Sequence, residues 1–371
     1  MNYKIYKPKK NISYNKIIVT WAYKNNFEKN GSLNDRYFNV NSKKFKNCLW
    51  FVIYLSDFMP KKIDENIVLL KPMTSKSLNF VELIIILGKN FLYLFKNFKY
   101  FLALISNYNY FANIFIKTIS QFINKDIKLI LMPFEGQPFQ SKLVNLIKNK
   151  FKNTKTVGYI HAPPLPILSN FVFKDSSPNK IILNGSDQIY YFTKILGWKR
   201  SNIKLLPSFR FHKLQNKNKN QNKIYLPLTL RNPDTIFESL KLLDRTNYIN
   251  LKNFKVQNHP ASMNSKKNTS LIKKIENYKL NLNNKKKNKI KKNTSIFIGA
   301  SGAIIEALER GVIVIQICDD PFFDVYSTKI WPNVKIKKIN ENIYKYDLKK
   351  MGKIIKFGQK KNNFKKILKV L

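Results

Sequence analysis

The chain has 371 residues, 44% hydrophobic and 14% aromatic, which is enough apolar material for two folded domains and too much for a disordered chain. Its formal charge of +47 comes from 68 Lys and Arg against 21 Asp and Glu, and arginine occurs only at positions 36, 200, 210, 231, 245 and 310. Two cysteines, Cys48 and Cys318, each inside an apolar run, exclude a disulfide framework, and three scattered histidines do not complete a zinc site with them. Both thiols are expected to be buried and reduced.

The lysine excess, with abundant asparagine and isoleucine, reads as compositional drift of an AT-rich genome. Such a surface still attracts anionic headgroups, nucleic acids and phosphorylated sugars in a salt-dependent way, so charge alone names no partner. The N-terminal "MNYKIYKPKK" lacks the apolar stretch of a signal peptide. "KIIVTWAY" (16–23), "CLWFVIYL" (48–55) and "NIVLLKPM" (66–73) are short strand-like runs between polar stretches. Residues 77–123 read as helices with loops. The most apolar part, 80–119, is broken by Lys89, Lys96 and Lys99, and the longest uncharged piece, 100–116, is short for a membrane span and polar at Ser106, Asn107, Asn109 and Asn113. Buried or surface-docked helices are expected, in a cytoplasmic protein with peripheral contact to an anionic membrane face.

Next come a strand over "IKLILMPF" (127–134), a helix over "FQSKLVNLIKNKF" (139–151) and a strand over "KTVGYIHA" (155–162). A strand, turn and helix follow over 180–198, then a strand over "NIKLLPSFRF" (202–211). Strands separated by helix-length segments predict a parallel sheet covered on both faces. The middle of "HKLQNKNKNQNKIYL" has no apolar residue, and the alternation then restarts. The expected organisation is an N-terminal domain over 1–211, a linker over 212–223, a C-terminal domain over 224–340 and a closing helical segment over 341–371 that packs back. The tract "NLNNKKKNKIKKN" (281–293) reads as a solvated loop. The fold class expected is α/β, with two parallel sheets meeting at a cleft, where ligands sit at the carboxyl ends of strands.

The most informative stretch is "TSIFIGASGAIIEALERGVIVIQICDD" (294–320). A strand enters a small-residue turn at 299–302, a helix starts near Ala303, Gly311 ends it, and a strand follows. Such a turn lets backbone N–H groups approach an anion, and Ser301 either caps the helix or binds a phosphate oxygen. Glu306 is placed to accept from ribose hydroxyls, or is a solvent-facing helix glutamate. His259, in "KVQNHPAS" (255–262), ends a strand with Pro260 behind it, where an imidazole can donate to a phosphate or protonate a leaving group. "LILMPFEGQPFQSKL" (129–143) places Glu135 at the carboxyl edge of a strand. Gly136 and Pro138 then turn the chain so that the carboxylate faces the cleft, as a general base, or complements the following helix. His161 ends the next strand at the same edge and is placed to orient Glu135 or an acceptor. Arg210 and Arg231 also end strands, and a guanidinium suits phosphate and carboxylate. Asp187 and Tyr326 are weaker candidates, and the carboxylates of 318–324 read as a loop rather than a metal site.

Asn258-His259-Pro260 followed by Gly299-Ala300-Ser301-Gly302-Ala303 and Glu306-Ala307-Leu308 resembles the C-terminal half of GT-B glycosyltransferases, and more narrowly the bacterial sialyltransferase and capsule Kdo-transferase groups. Upstream, Asp35-Arg36-Tyr37-Phe38, Leu49-Trp50-Phe51, Glu135-Gly136-Gln137-Pro138-Phe139, Gly158-Tyr159-Ile160-His161 and Phe209-Arg210 look like surface-carbohydrate biosynthesis proteins. The resemblance spans roughly 16–330. It implies two Rossmann-like domains and a nucleotide-sugar donor. Glu135 would be the base on an acceptor hydroxyl and His259 would sit at the donor phosphate. Ser301 with Gly302 would hold phosphate. The acceptor would be a glycan or lipid-linked glycan, with no metal or other cofactor and no nucleic acid. The family pattern has two acids before the glycine, where this chain has Phe134 and Glu135, and a second Ser where it has Gly302. A phosphotransferase using CDP-linked alcohols and a non-catalytic scaffold of the same pathway remain alternatives.

Overall fold

The computed structural model describes residues 3–6, 12–45, 47–72, 84–85, 87–88, 91–92, 95–161, 169–209, 211, 222–259, 265–282, 293–318, 330–357, 364 and 368. Most of the linker, the 281–293 tract and the acidic 318–324 loop, together with Arg210, Pro260 and Tyr326, lie outside the described residues.

The first sheet contains β1 (Tyr3–Tyr6), β2 (Lys16–Ala22), β5 (Cys48–Tyr54), β6 (Ile67–Pro72), β7 (Leu129–Pro133), β8 (Lys155–Tyr159), β9 (Lys180–Leu183) and β10 (Ile203–Leu205). A small hairpin of β3 (Asn34–Asp35) and β4 (Val40–Asn41) stands outside it. The spatial order is β1-β6-β5-β2-β7-β8-β9-β10, and every pairing is parallel except β1 with β6. From β2 the chain first winds outward through β5 and β6, then returns to the other side of β2 and winds through β7 to β10. The winding direction therefore reverses between β2 and β7, and there a doubly wound sheet opens a crevice at its carboxyl edge.

All seven residues of β5 and all five of β7 are buried, as expected for strands covered on both faces. One face packs on α2 (Asn107–Ile119) and α3 (Pro138–Lys150), with Phe115, Phe139 and Leu143 in the core, and α1 (Phe98–Ile105) packs against α2. On the same side lies α4 (Gln188–Tyr190), which runs into a π-helical turn at Tyr191–Ile195. The other face buries Phe38, Trp50, Tyr54, Tyr159 and Phe209, joined by Phe364 from the C-terminal end.

The second sheet has β11 (Lys223–Tyr225), β12 (Lys255–Gln257), β13 (Thr294–Ile298), β14 (Ile313–Ile317), β15 (Val334–Asn340) and β16 (Ile343–Leu348), in the order β12-β11-β13-β14-β16-β15. The first four strands are parallel, and the winding reverses between β11 and β13. One face packs on α5 (Pro233–Arg245) and α6 (Lys266–Leu280). The other carries α7 (Ala303–Glu309) and merges with the core of the first lobe through Trp331, Ile354 and Ile355. The α/β, two-sheet expectation is met. The helical reading of 341–371 needs correction, because the segment opens as β16, paired antiparallel with β14 and β15. The strand expected over 202–211 ends at Leu205.

Residues 352–356 join the lobes. The Glu309 carboxylate, at the end of α7, accepts from the N–H groups of Gly352, Ile354 (2.9 Å) and Ile355 (2.9 Å). The same segment reaches the carboxyl ends of β9 and β10. Lys356 N–H donates to Asn184 O (2.6 Å), Gln188 Nε2 to Ile354 O (2.9 Å), and Ser208 N–H to Lys356 O (2.7 Å). Gly185 is required here, since a Cβ would lie 1.8 Å from Ile354 O. Asn333 Nδ2 adds bonds of 2.8 and 2.9 Å to the two oxygens of Asp187. Asp187 is thus engaged between the lobes.

Removing the Glu309 side chain leaves buried donors without an acceptor. Glu309→Ala is expected to lower unfolding stability by about 3 kcal/mol, and Glu309→Gln, which keeps one acceptor, by about half as much. Urea unfolding followed by tryptophan fluorescence measures both; equal stabilities would remove the clasp from the account.

Candidate active site

At the first sheet's reversal, β7 ends at Pro133 and the chain turns through Glu135, Gly136 and Gln137 into α3. The turn is built around Gln140, which is fully buried. Its Oε1 accepts from the N–H groups of Glu135 (3.0 Å) and Gln137 (3.1 Å), and its Nε2 donates to Pro133 O (2.6 Å). Gly136 adopts φ +68°, and a Cβ there would lie 2.2 Å from Asn170 O. Only glycine combines that backbone with that approach. The Glu135 side chain remains 37% exposed, with Oε1 3.6 Å from His161 Nε2. Gln137 Nε2 donates to Glu135 Oε2 at 2.6 Å. The structure therefore brings Glu135 and His161 together.

The loop after β2 completes this group. Asp35 is buried; Thr20 Oγ1 donates to it at 2.5 Å and the Phe38 N–H at 2.6 Å. These bonds shape the turn that presents Tyr37, whose ring meets His161 edge-on with centroids 4.8 Å apart. Tyr37 also contacts Trp21 (5.6 Å), and Trp21 contacts Phe139 (5.8 Å), so rings from β2, the β3–β4 hairpin and α3 back the Glu135–His161 pair. Asp35 and Tyr37 were noted in the sequence only as part of a resemblance. Their placement depends on a tertiary turn that periodicity does not reveal.

At the second sheet's reversal, a cavity of about 450 Å³ opens beyond the carboxyl ends of β11 and β13. Pro227, Arg231, Gly299, Ala300, Cys318 and Asn342 contribute to its wall. Arg231 is exposed. Cys318 is half-exposed, unlike the buried Cys48, because it sits one residue past β14 at this opening. His259 is exposed two residues beyond β12; the preceding Asn258 Oδ1 accepts from Asn268 Nδ2 (2.7 Å), which also donates to Pro227 O (3.3 Å). The His259 strand end is thereby tied to a wall of the cavity.

Ser301 Oγ accepts from Ala303 N–H at 3.3 Å as a local turn bond and does not cap the helix, whose N-cap position is the exposed Gly302. The helix that follows is only seven residues long, so the positive potential at its start is small. Glu306 forms an ion pair with Arg310, one turn along the same helix. Both lie near Tyr225, whose hydroxyl is pushed to a higher pKa by burial and then by the Glu306 charge, and whose ring stacks on Phe297 at 4.5 Å. Glu135 and His161 belong to the first sheet, whereas Arg231, His259, Ser301, Gly302 and Glu306 belong to the second. Among the described residues, no group of three or more His, Cys, Asp or Glu converges as metal ligands would.

No protein-family model matches the chain, and no curated protein matches it by sequence. Among solved structures, a protein from Listeria monocytogenes assigned as a UDP-N-acetylglucosamine 2-epimerase aligns with 83% of this chain and 80% of its own, at 9% identity and a TM-score of 0.43. A TM-score that low carries no activity across.

Burial pushes the Asp35 carboxyl up to about 6, against the opposing effect of the bonds from Thr20, Phe38 and Tyr37. The folded chain therefore binds a proton more tightly than the unfolded one. The associated stability is fully present below the unfolded value near 4 and is lost as pH rises through 6. Asp35→Asn is expected to flatten this part of the profile. Relative to wild type, the variant gains up to about 3 kcal/mol between pH 4 and pH 7. Urea titrations across that range measure the difference; parallel profiles would contradict it.

Proposed function

We propose that this protein is an enzyme acting on a nucleotide-activated sugar, and that it transfers the glycosyl group to a hydroxyl of a surface-glycan or lipid-linked acceptor. The observation that carries the reading is the arginine-walled cavity at the second winding reversal, alongside a solvent-reaching carboxylate at the carboxyl end of β7 by the first. A doubly wound sheet binds its ligand at that position. About 450 Å³ falls in the range of small-molecule and cofactor sites.

The donor nucleotide occupies the second-sheet cavity, with its phosphates against Arg231 and the Gly299–Ala300 turn, and His259 at the mouth. The acceptor lies in the first-sheet crevice. Glu135 takes the proton of the attacking hydroxyl, held in orientation by Gln137 and His161. The new bond forms at the anomeric carbon while the bond from that carbon to the phosphate oxygen breaks. The leaving phosphate carries away the electron pair, and its charge is met by Arg231 and by a proton or hydrogen bond from His259. A positioned general base supplies the usual magnitude for such a step.

Calorimetry with CMP, CDP and UDP, followed by turnover with the matching sugar donors, tests the reading. Glu135→Gln is expected to keep nucleotide affinity within about twofold while lowering transfer by about 100-fold or more. Arg231→Ala is expected to weaken nucleotide binding by about tenfold or more. Full transfer by Glu135→Gln would remove the base. Unchanged affinity in Arg231→Ala would remove the donor site, and binding without turnover of any donor would favour a non-catalytic scaffold.

A further inference from the structure

Residues 84–108 carry a concentration of exposed apolar side chains found nowhere else among the described residues. Phe91, Leu92, Phe95, Phe98, Leu102 and Tyr108 are all exposed, with Leu92 and Tyr108 at 73% and Phe95 at 75%. Single exposed apolar residues are normal, but a cluster of large ones marks an interaction surface. Phe91 and Phe95, whose rings touch at 5.3 Å, precede residue 97, which is outside any helix, and Phe98 and Leu102 lie on α1 beyond it. Phe101, between them in sequence, turns the other way into the core.

Charge selects the occupant. Between Glu82 and Asp126 the sequence has no acid, while Lys89, Lys96, Lys99, Lys117 and Lys125 fall in that interval. Lys96 and Lys99 are exposed next in sequence to the exposed Phe95 and Phe98. Apolar side chains flanked by lysines, with no acid to oppose them, fit the headgroup boundary of an anionic bilayer, where the apolar groups enter the acyl region and the lysines meet lipid phosphates. No helix among the described residues is long and apolar enough to cross a membrane.

We propose that the 84–108 face docks this protein onto anionic lipid bilayers. α2, which continues from this face, is linked to the first-sheet site by side-chain contacts. Lys142 of α3 donates to Asn109 and Asn113 of α2 at 2.5 Å each, and Phe111 of α2 contacts Phe139 (5.5 Å), which leads through Trp21 and Tyr37 to His161. A docked bilayer would present a lipid-linked acceptor beside Glu135. That consequence rests on the transfer reading above, whereas the docking does not.

Vesicle flotation with the full chain tests the proposal, using phosphatidylcholine vesicles with and without about 30% phosphatidylglycerol. The wild type is expected to bind the anionic vesicles about tenfold or more above the neutral ones, less so as salt rises. Phe95→Ser/Phe98→Ser and Lys96→Glu/Lys99→Glu are each expected to lose about tenfold of that binding with an unchanged unfolding midpoint. Lys335→Glu/Lys337→Glu, on exposed positions of β15, is expected to bind like wild type. Equal loss in this control would assign the effect to general charge and overturn the proposal. Unchanged binding by the Phe variant would do the same. So would wild-type self-association relieved by the Phe variant without vesicle binding, which would make the face an interface between copies or with another protein. Nucleotide binding reads the transfer proposal separately, so either can fail alone.

Discussion

The arrangement of this molecule depends on a segment that belongs to neither sheet. Residues 352–356, of which Ile354 and Ile355 are buried, have N–H and C=O groups with partners on both lobes. Glu309 from the second lobe supplies the acceptor, while Asn184, Gln188 and Ser208 from the first supply the rest. A carboxylate at the last position of a helix is opposed by the helix dipole. Its pKa is raised by burial, against the effect of the three backbone bonds. That unfavourable placement persists because the same carboxylate satisfies three otherwise orphaned donors. The clasp sits at the carboxyl ends of β9 and β10, so the second lobe is seated on the edge of the first sheet where its crevice opens.

The two candidate sites have different physical characters. The first is stiff. Gln140 uses its whole amide to hold the Glu135 turn, Gly136 admits Asn170, and aromatic rings brace His161. The second is a cavity walled by backbone turns and a single guanidinium, closer to a receptor for a ligand than to a set of reacting groups. On the proposed reading, the acid–imidazole pair of one lobe and the cavity of the other would divide the labour that group transfer between two substrates requires.

Much of this was legible in the chain. Strand runs such as 48–55 and 127–134 are apolar on both faces, and a parallel sheet leaves just that trace. The acid at the end of β7 was visible because Gly136 and Pro138 break the pattern at once. Other features were not legible. The second strand of the hairpin of β15 and β16 falls in the segment 341–371 expected to be helical, because its strand signal is masked by the lysine-rich background. Asp35 looks like any loop acid until Thr20, fifteen residues earlier, is brought against it. The ion pair of Glu306 with Arg310, one turn along the same helix, is not announced by either sequence reading of Glu306. The short reach of the Ser301 helix followed from Gly311, which the sequence displayed.

The central claim is that a nucleotide-activated ligand binds where the second sheet reverses its winding. Amide hydrogen exchange with and without a saturating nucleotide sugar tests this most directly. Added protection is expected in 227–232, 298–300 and 317–318, with smaller changes around 135–137. Protection confined to other surfaces, or no change at these backbone positions with a ligand shown to bind, would contradict the account.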